Sequence, residues 1–214
     1  MNKINYQLEL DKITDKIVAD RKLNPDMPKP TVLLHSCCGP CSSYVLSYLV
    51  KFFDITVLYY NPSIAPTEEY DHRKAVQLSL ISQLNEKGYD IKFQDCDYNH
   101  DEFLKIAEGL ESEREGGARC HKCYEQRIRA AADYAVKGGF DYFCTTLTVS
   151  PYKNAQVLND IGARVSKECG IPYLFSDFKK KEGYKESIRL SKVYDLYRQD
   201  YCGCEFSFRQ EIEH

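Results

Sequence analysis

No stretch of this 214-residue chain approaches the roughly 20 consecutive apolar residues that a membrane-crossing helix needs. The expectation is therefore no membrane partner. The opening residues, MNKINYQLELDKITDKIVADRK, carry too many charges for a secretory leader. That places the chain in the cytoplasm, a reducing compartment where structural disulfides are rare. A surplus of positive charge is also missing. The formal net charge of −3 argues against a globally basic nucleic-acid binder, though it leaves room for a local basic patch. Internal repeats and low-complexity tracts are absent, so neither a repeat array nor a biased linker is expected.

What is present is an ordinary apolar fraction of 43%, enough for the core of one domain with a small appendage. Residues 3–20 place Ile4, Leu8, Ile13, Ile17 and Val18 at mostly helical spacing, which predicts an amphipathic N-terminal helix. NPDMPKP (24–30) reads as a linker, because its prolines interrupt any regular element. The expected divisions are 1–30, an α/β domain over 31–208, and a tail over 209–214.

From residue 31 the pattern alternates. Strands are expected at 31–35, 54–61, 89–96, 140–146 and 171–177. Helices are expected at 40–53, 67–88 with Gly88 as C-cap, 154–170 and 184–199, with two more, HDEFLKIAEGL and CYEQRIRAAADYAVKGG, around the polar loop ESEREGGARC. Strands alternating with helices imply an α/β fold: a parallel sheet with helices on both faces. Ligands then bind beyond the carboxyl ends of the strands. HSCCGPCSS (35–43), TLTVSPYKN after the fourth strand and SDFKKKEG after the fifth should share one rim.

Ten cysteines in a reducing compartment suggest metal ligands or redox groups. Seven of them fall in three short motifs. Cys37, Cys38 and Cys41 follow the first strand. Cys120 and Cys123 form CHKC at an expected helix start, a spacing that lets one turn grip a metal or cluster. Cys202 and Cys204 flank Gly203, which lets the backbone fold closely around an inorganic core. Cys96, Cys144 and Cys169 sit in strand or helix positions and read as structural. Seven thiols are too many for one structural zinc and too few for two closed sites. They suit a 4Fe–4S cluster, which takes four, plus a mononuclear iron with three protein ligands and an open position. Adjacent side chains diverge, so Cys37 and Cys38 could serve two neighbouring centres. His35 and His121 flank cysteines, but with seven thiols available they read as supporting groups; His72 is ambiguous.

Residues 31–208 resemble the QueH family of epoxyqueuosine reductases. The resemblance is carried, in order, by HSCCGPCS, YYNPSIAPTEEYDHRK, RCHKCYEQR, TTLTVSPYKN, FSDFKKKEGYKESIRLSK and YRQDYCGCEFS. It implies the last step of queuosine synthesis: two-electron reduction of an epoxide at the wobble position of a tRNA anticodon, using a 4Fe–4S cluster and a nearby iron. It also implies a PP-loop/Rossmann-like (HUP-type) sheet. Those folds cradle phosphate in a Gly/Ser-rich loop after the first strand, where this chain has HSCCGPCSS. Thiols and proline are poor material for a phosphate nest, so no ATP use is expected.

Some relatives carry Asp at the position of Cys41, and a carboxylate suits a single ferrous ion better than a cluster corner. Cys37 and Cys41 are therefore expected to hold the extra iron from one helical turn. Cys38 is expected to point away, toward the cluster, whose three other ligands come from among Cys120, Cys123, Cys202 and Cys204.

Epoxide reduction needs a Lewis acid, single electrons from a low-potential external donor, and a proton for the leaving oxygen. Candidate proton donors on the rim are Tyr152, Lys153, Asp177 and Tyr201. A tRNA loop would be read by stacking and backbone cations. Tyr59, Tyr60, Tyr152 and Tyr184 are candidates for the first role, and Lys179, Lys180, Lys181, Lys185, Arg189 and Lys192 for the second. Two other readings remain open: a tRNA sulfur-transfer enzyme and a zinc-stapled RNA-binding module.

Overall fold

Four short strands form the centre of the computed structural model, which describes residues 4–207. They are β1 (Thr31–His35), β2 (Asp54–Tyr59), β3 (Lys92–Asp95) and β4 (Tyr142–Thr145), paired in parallel in the order β3-β2-β1-β4. Around them run α1 (Tyr6–Leu23), α2 (Gly39–Leu49), α3 (Thr67–Asn85), α4 (Asp101–Ala107), α5 (Ala118–Gly138), α6 (Ala155–Cys169) and α7 (Gly183–Val193). The proposed tail at 209–214 lies outside the described residues.

Strand side chains alternate between faces, and two cores result. Val32, Leu34, Val57 and Cys144 pack with residues of α2, α3 and α7. Leu33, Leu58 and Phe143 pack with Ile128, Ala131, Ala132 and Ala135 of α5 and with Leu158 and Val165 of α6. The sheet is covered on both faces, as the alternating pattern requires.

The expected fifth strand does not form. Residues 172–174 run beside β4 through a single bridge, Phe143 to Tyr173. Pro172 has no N–H to donate, and the N–H groups of Tyr173 and Ser176 are taken by Ser166 Oγ and Asn159 Oδ1. Four helices also end early: α2 stops at Leu49 and α4 at Ala107, and α3 and α7 follow suit. The cap of α3 is Glu86 rather than Gly88, which follows in a turn with φ 92°. α7 stops at Val193, where Tyr194 and Leu196 turn into the core and Asp195 takes a positive φ. That break directs residues 198–204 across the sheet rim rather than along a helix.

α1 is capped by the Asn5 side chain, which accepts from the Gln7 and Leu8 amides. Its inner face is Tyr6, Gln7, Leu10 and Thr14, with Ile13 and Ile17 half-buried. Ile4, Leu8 and Val18, expected on that face, are exposed. Tyr6 lies parallel to Phe175, and Asp11 receives Lys181 at 2.8 Å, so the helix is docked on the domain by packing and charge. Leu10 is fully buried in the core beside α2. Leu10→Ala should lower stability by about 2–5 kcal/mol, read as a fall in the urea midpoint. An unchanged midpoint would mean that α1 is not docked in solution.

Candidate metal centre

β1 ends in His35, and the chain then turns through Ser36 and Cys37 to Cys38, the N-cap of α2. The turn is pinned from three sides. Asn61 Nδ2 donates to the Ser36 carbonyl, and Ser36 Oγ meets both Gln77 and Ser42. Gly39 lets α2 pass close to α3, since a Cβ there would lie 2.8 Å from Val76 Cγ1. The His35 ring is buried between Thr145 Oγ1 at 2.9 Å and the Tyr60 carbonyl at 3.1 Å. Burial, then the nearby Arg127 charge, push its pKa down to about 4. With both ring nitrogens engaged, His35 is a structural group of the rim. His121 and His72 are exposed, beside the rings of Tyr124 and Tyr197.

The ligand atoms of Cys37, Cys38 and Cys41 all lie within 4.8 Å of one another. Cys38 therefore does not turn away from its neighbours as the sequence suggested. The reason is its backbone: Cys38 is extended (φ −170°, ψ 156°), α2 begins only at Gly39, and Cys41 comes round in the first helical turn. Hydrogen bonds from Cys38 and Cys41 hold the Cys37 thiol well below its ordinary range, and sharing with Cys37 pushes Cys38 up to about 12. Gln199 Nε2 donates to Cys38 Sγ at 3.2 Å.

A second set lines one narrow cavity: Cys120 and Cys123 from the start of α5, and Cys202 and Cys204 from the chain that follows α7. Among the described residues, no other three such ligand atoms approach as closely as the Cys37 trio. Cys202 borders both this cavity and the rim cleft above the trio. Cys144 and Cys96 are buried in the two apolar cores, and Cys169 is half-buried beside Asp133.

Three buried arginines around the thiols escaped the sequence reading. Arg73 donates to Glu69 at 2.6 Å and to the carbonyls of Cys202 and Tyr201 at 3.0 and 3.4 Å, and it faces the Tyr201 ring. Arg119 donates to the carbonyls of Leu110, Glu111, Glu113 and Phe206. Arg127 donates to the Cys123 carbonyl at 3.2 Å. The available signal was helical phase: Arg73 shares a buried face with Tyr70, Gln77 and Leu84, and Arg127 shares one with Tyr124, Ile128 and Ala131.

The cleft over the trio is about 340 Å³ and is lined by Cys37, Cys41, Cys202, Arg127, Lys153 and Tyr201, among others. Burial alone would lower the Lys153 pKa, but attraction to Cys202, Tyr124, Cys37 and Cys41 outweighs it and keeps the ammonium charged. Tyr201 donates its hydroxyl to the Ala65 carbonyl at 2.9 Å. Tyr152 is two-thirds exposed at the mouth, where the cleft meets a wider groove. Asp177 borders that groove instead of the cleft, paired with Lys179 at 2.7 Å.

Other rim candidates are differently placed. Tyr59 is fully buried, and Tyr60 is held by Glu102 at 2.6 Å, whereas Tyr152 and Tyr184 line the cleft. The basic segment is largely neutralised: Lys179, Lys181, Lys185 and Arg189 pair with Asp177, Asp11, Glu182 and Glu186. Among the described residues, Lys180 and Lys192 have no such pair.

Fold and site together define a parallel α/β domain whose rim gathers seven thiols, three of them close enough together to hold a metal ion. The family profile described as "Epoxyqueuosine reductase QueH" matches residues 32–210, which leaves α1 outside it. This chain belongs to the QueH family. It is 42% identical over 206 residues to the epoxyqueuosine reductase QueH of Staphylococcus epidermidis, covering 95% of this chain and 86% of that one. The corresponding protein of Streptococcus pyogenes serotype M1 is 41% identical over 97% of this chain and 81% of its own length. That of Thermotoga maritima is 32% identical over 86% and 93%.

Proposed function

We propose that this chain reduces the epoxide of epoxyqueuosine in the anticodon of tRNA to the alkene of queuosine. Two electrons and two protons are consumed, both epoxide C–O bonds break, and the oxygen leaves as water. The observation that carries the reading is the junction of a three-thiol trio and a four-thiol cavity at Cys202, beneath a cleft of about 340 Å³. The donor sets fit the groups that the family resemblance implies. Cys37, Cys38 and Cys41 would hold one iron, and Cys120, Cys123, Cys202 and Cys204 a 4Fe–4S cluster. When bound, these groups supply single electrons and a Lewis-acidic position for the epoxide oxygen.

The chain's own residues supply the rest. Lys153, kept charged by its cysteine and Tyr124 neighbours, stabilises negative charge on the leaving oxygen and delivers its proton. Tyr201 is fixed by Ala65 as a wall of the cleft. Tyr152 and Tyr184 offer rings to the nucleobases at the mouth, and Lys180, which has no ion-pair partner among the described residues, lines the adjoining groove where the RNA backbone would run. Residues 31–208 form the catalytic domain, and 1–30 add a docked helix. We place the chain in the cytoplasm, where ten free thiols persist. Among the described residues no helix is long and apolar enough to cross a membrane.

The test is anaerobic. The protein is reconstituted with ferrous iron and sulfide, then given epoxyqueuosine-tRNA and a low-potential one-electron donor. Queuosine should form, detected by nucleoside mass spectrometry, at a rate that ATP does not change. ATP-stimulated turnover at saturating reductant would overturn the reading. So would a colourless native protein carrying stoichiometric zinc.

A further inference from the structure

Arg127 lies one helical turn after Cys123 on α5 and is only 2% exposed. It borders both the rim cleft and the four-thiol cavity. Its Nε is used on the Cys123 carbonyl, but its Nη2 is buried and meets no hydrogen-bond partner among the described residues. The other two buried arginines differ. Both terminal nitrogens of Arg73 and of Arg119 are taken by backbone carbonyls. Those two hold the chain in place, whereas Arg127 keeps a terminal donor for the space between the thiol sets.

No carboxylate pairs with Arg127 among the described residues. The charges that act on it are those of Cys123, Cys202, Cys37 and Tyr124, whose ring it approaches, and its own charge helps to keep the buried His35 neutral. A buried lysine could shed its proton to escape such a position; a guanidinium does not. Its charge therefore calls for a compensating negative charge in the site, and metal-holding thiolates provide one. The dependence runs both ways. A fixed cation and a hydrogen bond to sulfur favour the more negative, reduced state of a thiolate-held cluster.

We propose that Arg127 is the counter-charge shared by the two thiol sets, and that its Nη2 donates to sulfur and raises the reduction potential of the group held by Cys120, Cys123, Cys202 and Cys204. This rests on the metal assignment proposed above. It makes Arg127 a positioning and tuning residue whose effect is electrochemical rather than architectural.

The experiment compares wild-type protein with Arg127→Gln and Arg127→Lys, each reconstituted anaerobically with ferrous iron and sulfide. Iron and sulfide are counted, and the midpoint is found by potentiometric titration followed by electron paramagnetic resonance. Arg127→Gln should hold full iron and sulfide. At a fixed solution potential its reduced-to-oxidised ratio should fall about tenfold, a midpoint about 59 mV more negative for a one-electron couple. Arg127→Lys keeps the charge but loses the fork, and should shift the same way by less. A wild-type midpoint in a fully loaded Arg127→Gln protein overturns the proposal. If the Gln variant takes up no iron, the Lys variant decides: a lowered midpoint supports the proposal, and a wild-type midpoint overturns it. Loss of iron in both variants also overturns it, because Arg127 would then serve assembly. Failure of the wild-type protein itself to take up iron and sulfide would instead sink the metal assignment.

Discussion

Cys41→Ala, reconstituted anaerobically, is expected to keep the visible absorbance of an iron–sulfur cluster while losing one iron per chain and more than about a hundredfold in turnover. Even groups that only orient a metal ligand cost ten- to a hundredfold when removed, and Cys41 belongs to the three-thiol set itself. Cys41→Asp should recover part of the activity, because a carboxylate also holds ferrous iron. Cys38→Ala should behave like Cys41→Ala, since its sulfur converges with those of Cys37 and Cys41. Cys120→Ala, Cys123→Ala and Cys204→Ala should bleach the cluster. Cys144→Ala, in the apolar core and outside both thiol sets, should keep all iron and full turnover. Iron counts, sulfide counts and absorbance separate these outcomes. If Cys41→Ala bleaches the cluster while a lone iron stays, the assignment of the two sets is wrong.

Arg73→Met should be the most damaging change that touches no thiol. Arg73 is 1% exposed, pairs with Glu69 and holds the carbonyls of Tyr201 and Cys202. Removing one partner of a buried ion pair costs about 3–5 kcal/mol. That is a large share of the 5–15 kcal/mol typical of a domain. The urea midpoint of the protein without added iron should fall accordingly. Iron uptake should fall too, because the Cys202–Gly203–Cys204 turn rests on the same guanidinium: a Cβ on Gly203 would lie 2.8 Å from Arg73 Nη1. Arg73→Lys should not rescue either property, since a single ammonium cannot reach both carbonyls and Glu69 in one plane. An unchanged midpoint together with full iron content would show that the turn is held by something else.

The positions of the thiol motifs could be read directly. Each lies at a strand end, a helix start or a glycine turn, and local pattern reports such places well. The strand at 171–177 could not be read in the same way. Its apolar run is real, but Pro172 and the side chains of Ser166 and Asn159 decide where its amides go, and two of those three partners are supplied by α6. The ion pairs of the basic stretch from Lys179 to Lys192 could not be read for a related reason. Asp11 lies some 170 positions from Lys181 in sequence, and only folding makes them partners.

From sequence alone followed the alternating α/β order, the rim at the strand ends, the separation of seven rim thiols from three others, and the family resemblance. All of these rest on periodicity and motif spacing, which the chain carries locally. Tertiary structure alone decided that Cys38 joins Cys37 and Cys41, that Cys202 borders both thiol sets, and that three arginines are buried around them. The direction of a side chain depends on the backbone angles at its own residue and on what packs against it. Here those were set by where α2 begins, where α7 stops, and which carbonyls the returning chain presents to a buried guanidinium.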